Sequence, residues 1–207
     1  MLIRPYSRLA VRLAKGCLAA ISGIRLIPHV IVLLGSPKRQ ILWKDLDRYG
    51  ENYDTGAPET IVKRIRLFVN MMTFYPEYRN VFYLRHRFLG RVLTILCRPM
   101  SSLSMNIEKC GAGLFIHHGF GTLISAKEVG DHCSIGQLVT IGYVNNSVDR
   151  PIIGNNVTIS VGARVLGAVK VGDNSFVSAN SVVLANVPPG STAVGVPAKT
   201  VWRKENS

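Results

Sequence analysis

Two adjacent histidines, His117 and His118, are the residues of this sequence best suited to chemistry. An imidazole has an unperturbed pKa of about 6.5, so it can donate or accept a proton near neutral pH. His132 follows in the same half of the chain, but no pair of histidines has the His-x-x-x-His spacing of a metal-binding helix. The residue types would allow acid–base chemistry, and the spacing does not favour a metal site. The alternative is a structural pair of histidines at a bend.

The four cysteines of the chain are Cys17, Cys97, Cys110 and Cys133. They form no CxxC pair, so the sequence predicts neither a zinc ribbon nor a disulfide framework, and it indicates a reducing, cytoplasmic compartment. The glycines near residues 111–121 are too sparse for a dinucleotide-binding loop, and no helical pattern follows them.

Aliphatic residues recur at every sixth position in the second half of the chain. The row consists of Leu123, Val129, Ile135, Ile141, Ile153, Ile159, Val165, Val171, Val177 and Val183. On a helix, a step of six turns the side chain by roughly 240°, so these residues would not share one face. In an extended chain they all point to the same side. The row therefore predicts short strands separated by corners, stacked as a β-solenoid of about five coils.

The row stays in register across a polar interruption at residues 143–151. Ile141 and Ile153 are twelve positions apart, and the residues between them include Asn145, Asp149 and Arg150. This composition predicts a loop that leaves the regular coil. Such a loop is a candidate wall of a binding site.

Six segments of this half carry a resemblance to a known family. They are Gly113-Leu-Phe-Ile-His-His118, Gly136-Gln-Leu-Val-Thr-Ile-Gly142, Ile153-Gly-Asn-Asn156, Ala163-Arg-Val-Leu-Gly167, Val187-Pro-Pro-Gly190 and Gly195-Val-Pro-Ala198. The sequence resembles the hexapeptide-repeat acyltransferases and, within them, the serine acetyltransferase-like branch. The resemblance implies a mainly β fold, a left-handed parallel β-helix. It also implies a homotrimer with active sites in grooves between neighbouring β-helices.

For the reaction, the resemblance implies acetyl-CoA as co-substrate and no metal. It aligns His118 with the family's catalytic histidine, the general base for the acceptor hydroxyl, and it places His117 where the family has an aspartate. With that aspartate missing, His117 and Glu108 are the candidates for orienting His118. For the CoA donor, the resemblance implies backbone contacts at Val161, Ala179 and Ala185 and a phosphate contact at Lys199.

The acceptor is the point at which the sequence departs from serine acetyltransferases. Their Asp-Arg-His-Pro loop becomes Asp149-Arg150-Pro151, and the terminal isoleucine of that branch is absent from the last residues. These departures favour a saccharide acceptor, as in capsule, exopolysaccharide and lipopolysaccharide O-acetyltransferases, with Arg150 as a candidate acceptor contact. A serine O-acetyltransferase is the alternative, and a non-catalytic β-helix scaffold is the second alternative.

The first half of the chain has a different composition. Residues 1–100 hold 17 Lys and Arg against 6 Asp and Glu, whereas residues 101–207 hold 8 against 6. We expect a basic α-helical region over 1–105, the β-helix over 106–198 and a C-terminal tail over 199–207. Amphipathic helices are expected near residues 62–72 and 78–89, the second capping the open end of the β-helix.

The basic charge suggests a partner outside the protein. Four residues would line one face of an N-terminal helix: Arg4, Arg8, Arg12 and Lys15. This pattern is typical of a helix lying on anionic lipid, so peripheral contact with the cytoplasmic face of a membrane is expected. The apolar stretch 16–35 is interrupted by Arg25, Pro28 and His29 and predicts no membrane span. No nucleic-acid-binding module is recognisable, so a nucleic-acid partner is not expected.

Overall fold

The computed structural model of the chain describes residues 23–53, 56–145 and 148–202. Within them, five helices precede the strands: α1 (residues 23–35), α2 (Arg39–Asn52), α3 (Ile61–Phe74), α4 (Pro76–Arg85) and α5 (Arg87–Leu93). Of the helices in these ranges, none is long and apolar enough to cross a membrane. The predicted basic face of Arg4, Arg8, Arg12 and Lys15 lies outside the described residues.

Local signals set the bounds of the helices. The Thr60 side chain accepts a hydrogen bond from the Lys63 N–H at 3.3 Å and so caps α3, and Pro76 occupies the first turn of α4, where no N–H is needed. The single helix expected over 78–89 is instead broken at His86. The backbone of His86 leaves the helical region, and its ring shares a hydrogen bond of 2.9 Å with the Ser36 hydroxyl.

Thirteen strands follow along the described residues: β1 (Leu103–Cys110), β2 (Phe115–Ile116), β3 (Thr122–Val129), β4 (Ser134–Ile135), β5 (Thr140–Gly142), β6 (Ile152–Ile153), β7 (Thr158–Ile159), β8 (Arg164–Leu166), β9 (Lys170–Val171), β10 (Phe176–Val177), β11 (Val182–Val183), β12 (Ser191–Gly195) and β13 (Ala198–Trp202). All pairings are parallel except β12 with β13.

The strands form the three faces of a β-helix. Strands β5, β8 and β11 stack on the start of β3 and form the first face, and β6 and β9 stack on its end and form the second. Strands β2, β4, β7, β10 and β12 form the third face. The predicted fold class, a β-helix of about 5 coils after an α-helical region, is confirmed.

The predicted aliphatic row is the core of the β-helix, with one exception. From Val129 onward every member is at most 1% exposed, but Leu123 is 46% exposed, and Ile124 is buried in its place. Leu123 pairs with Thr140, and Ile124 pairs with the row residue Ile141. The register expected for Leu123 is therefore wrong by one position, because β3 is one continuous strand that serves two faces.

The polar interruption is a loop, as expected, but part of the expected C-terminal tail is a strand. The polar interruption is a loop between Gly142 at the end of β5 and Ile152 at the start of β6, and it adds one hexad to that coil. The segment expected to be a C-terminal tail from residue 199 begins inside β13, which folds back against β12. Residues 199–202 are therefore part of the sheet.

The helical region covers the open end of the first coil. The buried carboxylate of Asp45, on α2, accepts the Gly113 N–H at 2.8 Å and forms a bidentate ion pair with Arg85 at 2.9 and 3.0 Å. Arg85, on α4, also donates to the carbonyls of Cys110 and Gly111 at 2.8 and 2.6 Å. Burial raises the pKa of Asp45, and Arg85 opposes this rise.

An aromatic contact completes this covering. The hydroxyl oxygen of Tyr49, on α2, accepts the Ile116 N–H at 3.1 Å, and the Tyr49 ring packs edge-on against Phe115 with centroids 4.8 Å apart. Backbone groups of the first coil that have no preceding strand on the third face are thus bound by side chains from the helices. These contacts fix the first coil, which carries the two adjacent histidines.

Candidate active site

A groove of about 530 Å³ runs along one corner of the β-helix. We call this corner, where the third face turns to the first, the groove corner. The groove is lined by His117 and His118 on the first coil, by Gln137 on the second and by Val161 on the third, and Asn52 of α2 closes one end. The two histidines identified from the sequence therefore share one concave surface.

The first coil turns this corner with extra residues. Ile124 follows Ile116 by eight positions, whereas Ile141 follows Ile135 by six. The insertion contains two successive left-handed residues, His118 with φ 64° and the next residue, a glycine, with φ 58°. The chain bulges outward here, so both histidines are exposed to the groove instead of being packed into the corner.

The two imidazole rings are stacked. The centroids of His117 and His118 lie 4.2 Å apart with an interplanar angle of 27°, and Phe115 stacks on the other side of His117 at 5.9 Å. Burial lowers the pKa of His117, the adjacent His118 lowers it further, and the carboxylate of Glu77 opposes both effects. The arrangement favours a neutral ring beside His118.

Glu108 lies at a different corner from the histidines. Its carboxylate forms an ion pair with Arg150, beside the polar loop, where the first face turns to the second. We call this the loop corner. Within one chain, Glu108 therefore pairs with Arg150 and does not lie beside His118. Its role in orienting His118 stays a prediction. His117 is the predicted candidate that contacts His118.

Known proteins share both the sequence pattern and this architecture. The serine acetyltransferase of Helicobacter pylori strain J99 is 42% identical to this chain over 123 residues, which are 58% of this chain and 72% of that protein. The chain belongs to the serine acetyltransferase family. The family described as bacterial transferase hexapeptide (six repeats) matches residues 150–185.

Other members agree with this assignment. The serine acetyltransferase of Staphylococcus aureus strain Mu50 is 45% identical over 127 residues, covering 56% of this chain and 60% of that protein. Soybean serine acetyltransferase apoenzyme has a TM-score of 0.58 at 26% identity, covering 79% of this chain and 68% of the soybean chain. The enzyme of Neisseria gonorrhoeae has a TM-score of 0.61 at 26% identity, covering 84% of this chain and 69% of that chain.

The comparisons confirm one part of the sequence interpretation and overturn another. The prediction of a hexapeptide-repeat acyltransferase of the serine acetyltransferase type is confirmed. The saccharide acceptor, with the assignment to polysaccharide biosynthesis, is wrong, because the relatives at 38–45% identity are named serine acetyltransferases. The departure at Asp149-Arg150-Pro151 affects one short loop, whereas the match extends along the coils.

The residues predicted to contact CoA fall on two corners. Val161 lines the groove, and Ala179 lies one coil further along the same corner, where the Asn180 N–H donates to the Val161 carbonyl at 2.9 Å. Ala185 follows β11 and lies at the loop corner. Lys199 is exposed on β13, opposite Val194. Within one chain, Val161 and Ala179 are together with the histidines, and Ala185 is apart from them.

Sequence reasoning missed Glu77 as a neighbour of the histidines. Glu77 is 4% exposed on α4, and its carboxylate accepts a hydrogen bond from the Tyr53 hydroxyl at 3.3 Å. It follows Pro76 in the first helical turn, a place where acidic residues are common for the helix alone. The only signal in the sequence was an acidic residue inside the basic half, and it does not reveal proximity to the first coil.

We searched the described residues for a candidate metal site. In the ranges that the structure describes, no cluster of three or more His, Cys, Asp or Glu side chains could hold a metal ion. His132 lies at the corner between the second and third faces, with φ 56°, a position that Asn156 and Asn174 take on later coils. His132 is therefore part of a repeated turn.

Proposed function

We propose that the chain is a serine O-acetyltransferase that transfers the acetyl group of acetyl-CoA to the hydroxyl of L-serine. The observation that carries the proposal is the exposed His118 imidazole in the groove of a chain that belongs to this family. A hydroxyl is a weak nucleophile at neutral pH and needs a base within reach. The imidazole of a histidine at this position can act as that base.

In the proposed step, the serine oxygen attacks the thioester carbon while His118 takes the hydroxyl proton. The carbon–sulfur bond then breaks, the acetyl group stays on the serine oxygen, and the leaving CoA thiolate receives the proton from His118. This direct transfer needs no covalent enzyme intermediate. It is consistent with the state of Cys133, whose pKa burial raises to about 11, which makes its thiol a poor nucleophile at neutral pH.

We propose that CoA lies along the groove corner. The backbone at Val161 and Ala179 would contact the pantetheine arm, and the Lys199 ammonium would attract the anionic phosphates. Ala185 and Arg150 lie at the loop corner of the same chain, so they reach a groove only if a second chain presents its loop corner there. This placement supports a groove completed by a neighbouring subunit.

This placement also supports a closed ring of identical chains, which the resemblance to hexapeptide-repeat acyltransferases implies is a homotrimer. A contact between the groove corner of one chain and the loop corner of the next is heterologous, and a heterologous contact that closes produces a ring. Both corners expose large apolar side chains: Phe120 and Leu138 at the groove corner and Leu184 at the loop corner. Burial of these side chains would stabilise the ring. Sedimentation velocity should give a species of three times the chain mass, and a monomer at assay concentration would refute the proposal.

Peripheral contact with a membrane stays a prediction. Residues 1–44 contain no Asp or Glu, and α1 exposes Ile24, Ile27 and Ile31 on one side. Exposed apolar side chains in a segment rich in Lys and Arg are typical of a helix that binds an anionic lipid surface. The test is cosedimentation with vesicles containing phosphatidylserine, using the full chain and a variant without residues 1–22. Equal binding of the two would contradict a role for the basic face.

The enzymatic proposal is tested by measuring CoA release with a thiol reagent. We expect release from acetyl-CoA in the presence of L-serine and none above background with saccharides. In His118→Asn we expect release to fall to background, and asparagine tolerates the left-handed backbone at this position. The matched control is His132→Asn, which places at that turn the residue found on later coils.

The outcomes separate the alternatives. Release with L-serine that is lost only in His118→Asn supports the proposal. No release by the intact chain with L-serine would refute it and would favour the scaffold. Activity of His118→Asn equal to that of His132→Asn would refute His118 as the base.

A further inference from the structure

Glu77 is a buried carboxylate that the proposed acetyl transfer does not use. It lies on α4, and its Cβ faces the bulge of the first coil. A Cβ atom placed on Gly119, the residue after His118, would lie 3.2 Å from the Glu77 Cβ. The helical region therefore packs against the residue that directly follows the histidine pair.

The groups that face Glu77 come from several elements. Tyr49 lies on α2, and Tyr53 directly follows that helix. Tyr75 precedes α4, and His117 follows β2. Burial raises the pKa of each tyrosine, and Glu77 adds to the rise, so all three phenols are neutral at physiological pH. The positive charge available to Glu77 within this group is therefore that of a protonated histidine.

The surroundings of Glu77 otherwise lack a counterion. Among the ion pairs formed by the described residues, none contains Glu77. Burial of a carboxylate without a cationic partner lowers the stability of the fold unless a positive charge lies near it. The rings of His117 and His118 are in contact, so a proton taken up by either ring is felt by both.

We propose that Glu77 is a positioning residue whose carboxylate, acting through His117, stabilises the imidazolium that forms on His118 as the serine hydroxyl loses its proton. This inference rests on the proposed function. It accounts for the histidine at position 117, where the family has an aspartate: the negative charge is supplied from α4 instead. The proton itself moves only between serine, His118 and CoA.

The first test is the pH dependence of turnover in Glu77→Gln, which keeps the shape of the side chain and removes its charge. We expect kcat to fall roughly tenfold to a hundredfold, because a positioned base contributes roughly 10²–10⁴-fold and the carboxylate supplies part of this. KM for acetyl-CoA should stay unchanged. A carboxylate raises the pKa of a nearby imidazole, so without it the acid limb of the kcat profile should move to lower pH.

Two companion variants control for structural effects. Glu59→Gln removes an exposed carboxylate paired only with Lys63 and should leave both kcat and the acid limb unchanged. Tyr53→Phe removes the hydroxyl that binds Glu77 and should give a smaller fall in kcat. A purely structural role for Glu77 would lower the unfolding midpoint in urea and leave the acid limb in place, and this result would overturn the inference.

A second readout does not depend on activity. Titration of the histidine ring signals by NMR reports proton uptake by His117 and His118 in the intact protein. We expect the pair to take up its first proton at lower pH in Glu77→Gln than in Glu59→Gln. An unchanged titration would overturn the inference even if the enzyme is active. If the protein acetylates nothing but the titration shifts, the proposed function fails and the coupling of Glu77 to the pair stands.

Discussion

Replacement of Gly119 by alanine should destabilise the protein through both its backbone conformation and its packing. Gly119 has φ 58°, and a Cβ there would lie 3.1 Å from both Ile116 and Leu103. An L-residue in the left-handed region costs about 1–2 kcal/mol, and overpacking costs about 1–3 kcal/mol. Alanine recovers about 0.4–1 kcal/mol by restricting the unfolded chain. The net loss is about 1–4.6 kcal/mol.

Two glycines of the same β-helix separate these contributions. Gly190 has φ 70°, and a Cβ atom added to it would meet nothing within 4 Å. Gly190→Ala should therefore show only the cost of the left-handed backbone less the gain from the restricted unfolded chain, about 0–1.6 kcal/mol. Gly142 also has nothing within 4 Å, and its φ lies outside the left-handed region. We therefore expect Gly142→Ala to leave the free energy of unfolding unchanged or slightly higher.

The assay is equilibrium urea unfolding followed by circular dichroism, with all variants at one protein concentration because assembly contributes to stability. The expected order of destabilisation is Gly119 first, Gly190 second and Gly142 last. If Gly119→Ala unfolds at the same urea concentration as Gly142→Ala, the bulge is not packed against Ile116 and Leu103. The outward bulge that exposes His118 would then be absent as well.

Two other substitutions test contacts at opposite ends of the chain. Asp45→Asn should lower the free energy of unfolding by about 3–5 kcal/mol, because it leaves the buried Arg85 without its counterion, and urea unfolding measures this loss. Lys199→Ala should raise KM for acetyl-CoA about threefold to tenfold through loss of a charge-assisted phosphate contact, with KM for L-serine unchanged in steady-state kinetics. An equal rise in both KM values would contradict a specific role at the phosphates.

The β-helix could be predicted from the sequence because its core repeats. From Val129 onward, the row residues are buried and pair with other row residues on adjacent coils, so one local pattern repeated many times specifies one structure. The prediction failed where the repeat is irregular. The insertion at His118 makes the first coil differ from the others, and no periodicity indicates that Ile124 replaces Leu123 as the core residue.

The candidate site was predictable only in part for a similar reason. His117 and His118 are adjacent in the sequence, so their proximity needs no folding argument. Glu77 reaches them through the packing of α4 on the first coil, a contact between segments about which the sequence pattern carries no information. The sequence pattern also did not indicate the split of the helix at His86, where the ring forms a hydrogen bond with Ser36 from another part of the chain.

The third face of the β-helix is modified at both of its ends, and this affects how a second chain could stack on it. At one end, Asp45, Tyr49 and Arg85 bind backbone groups of the first coil, and at the other end β13 runs antiparallel to β12. A parallel stack with a bare end would present a ready template for the next copy of the same chain. On the third face, a second copy of the chain would meet helix side chains at one end and an antiparallel strand at the other, and both disfavour continuation of the parallel stack from one chain to the next.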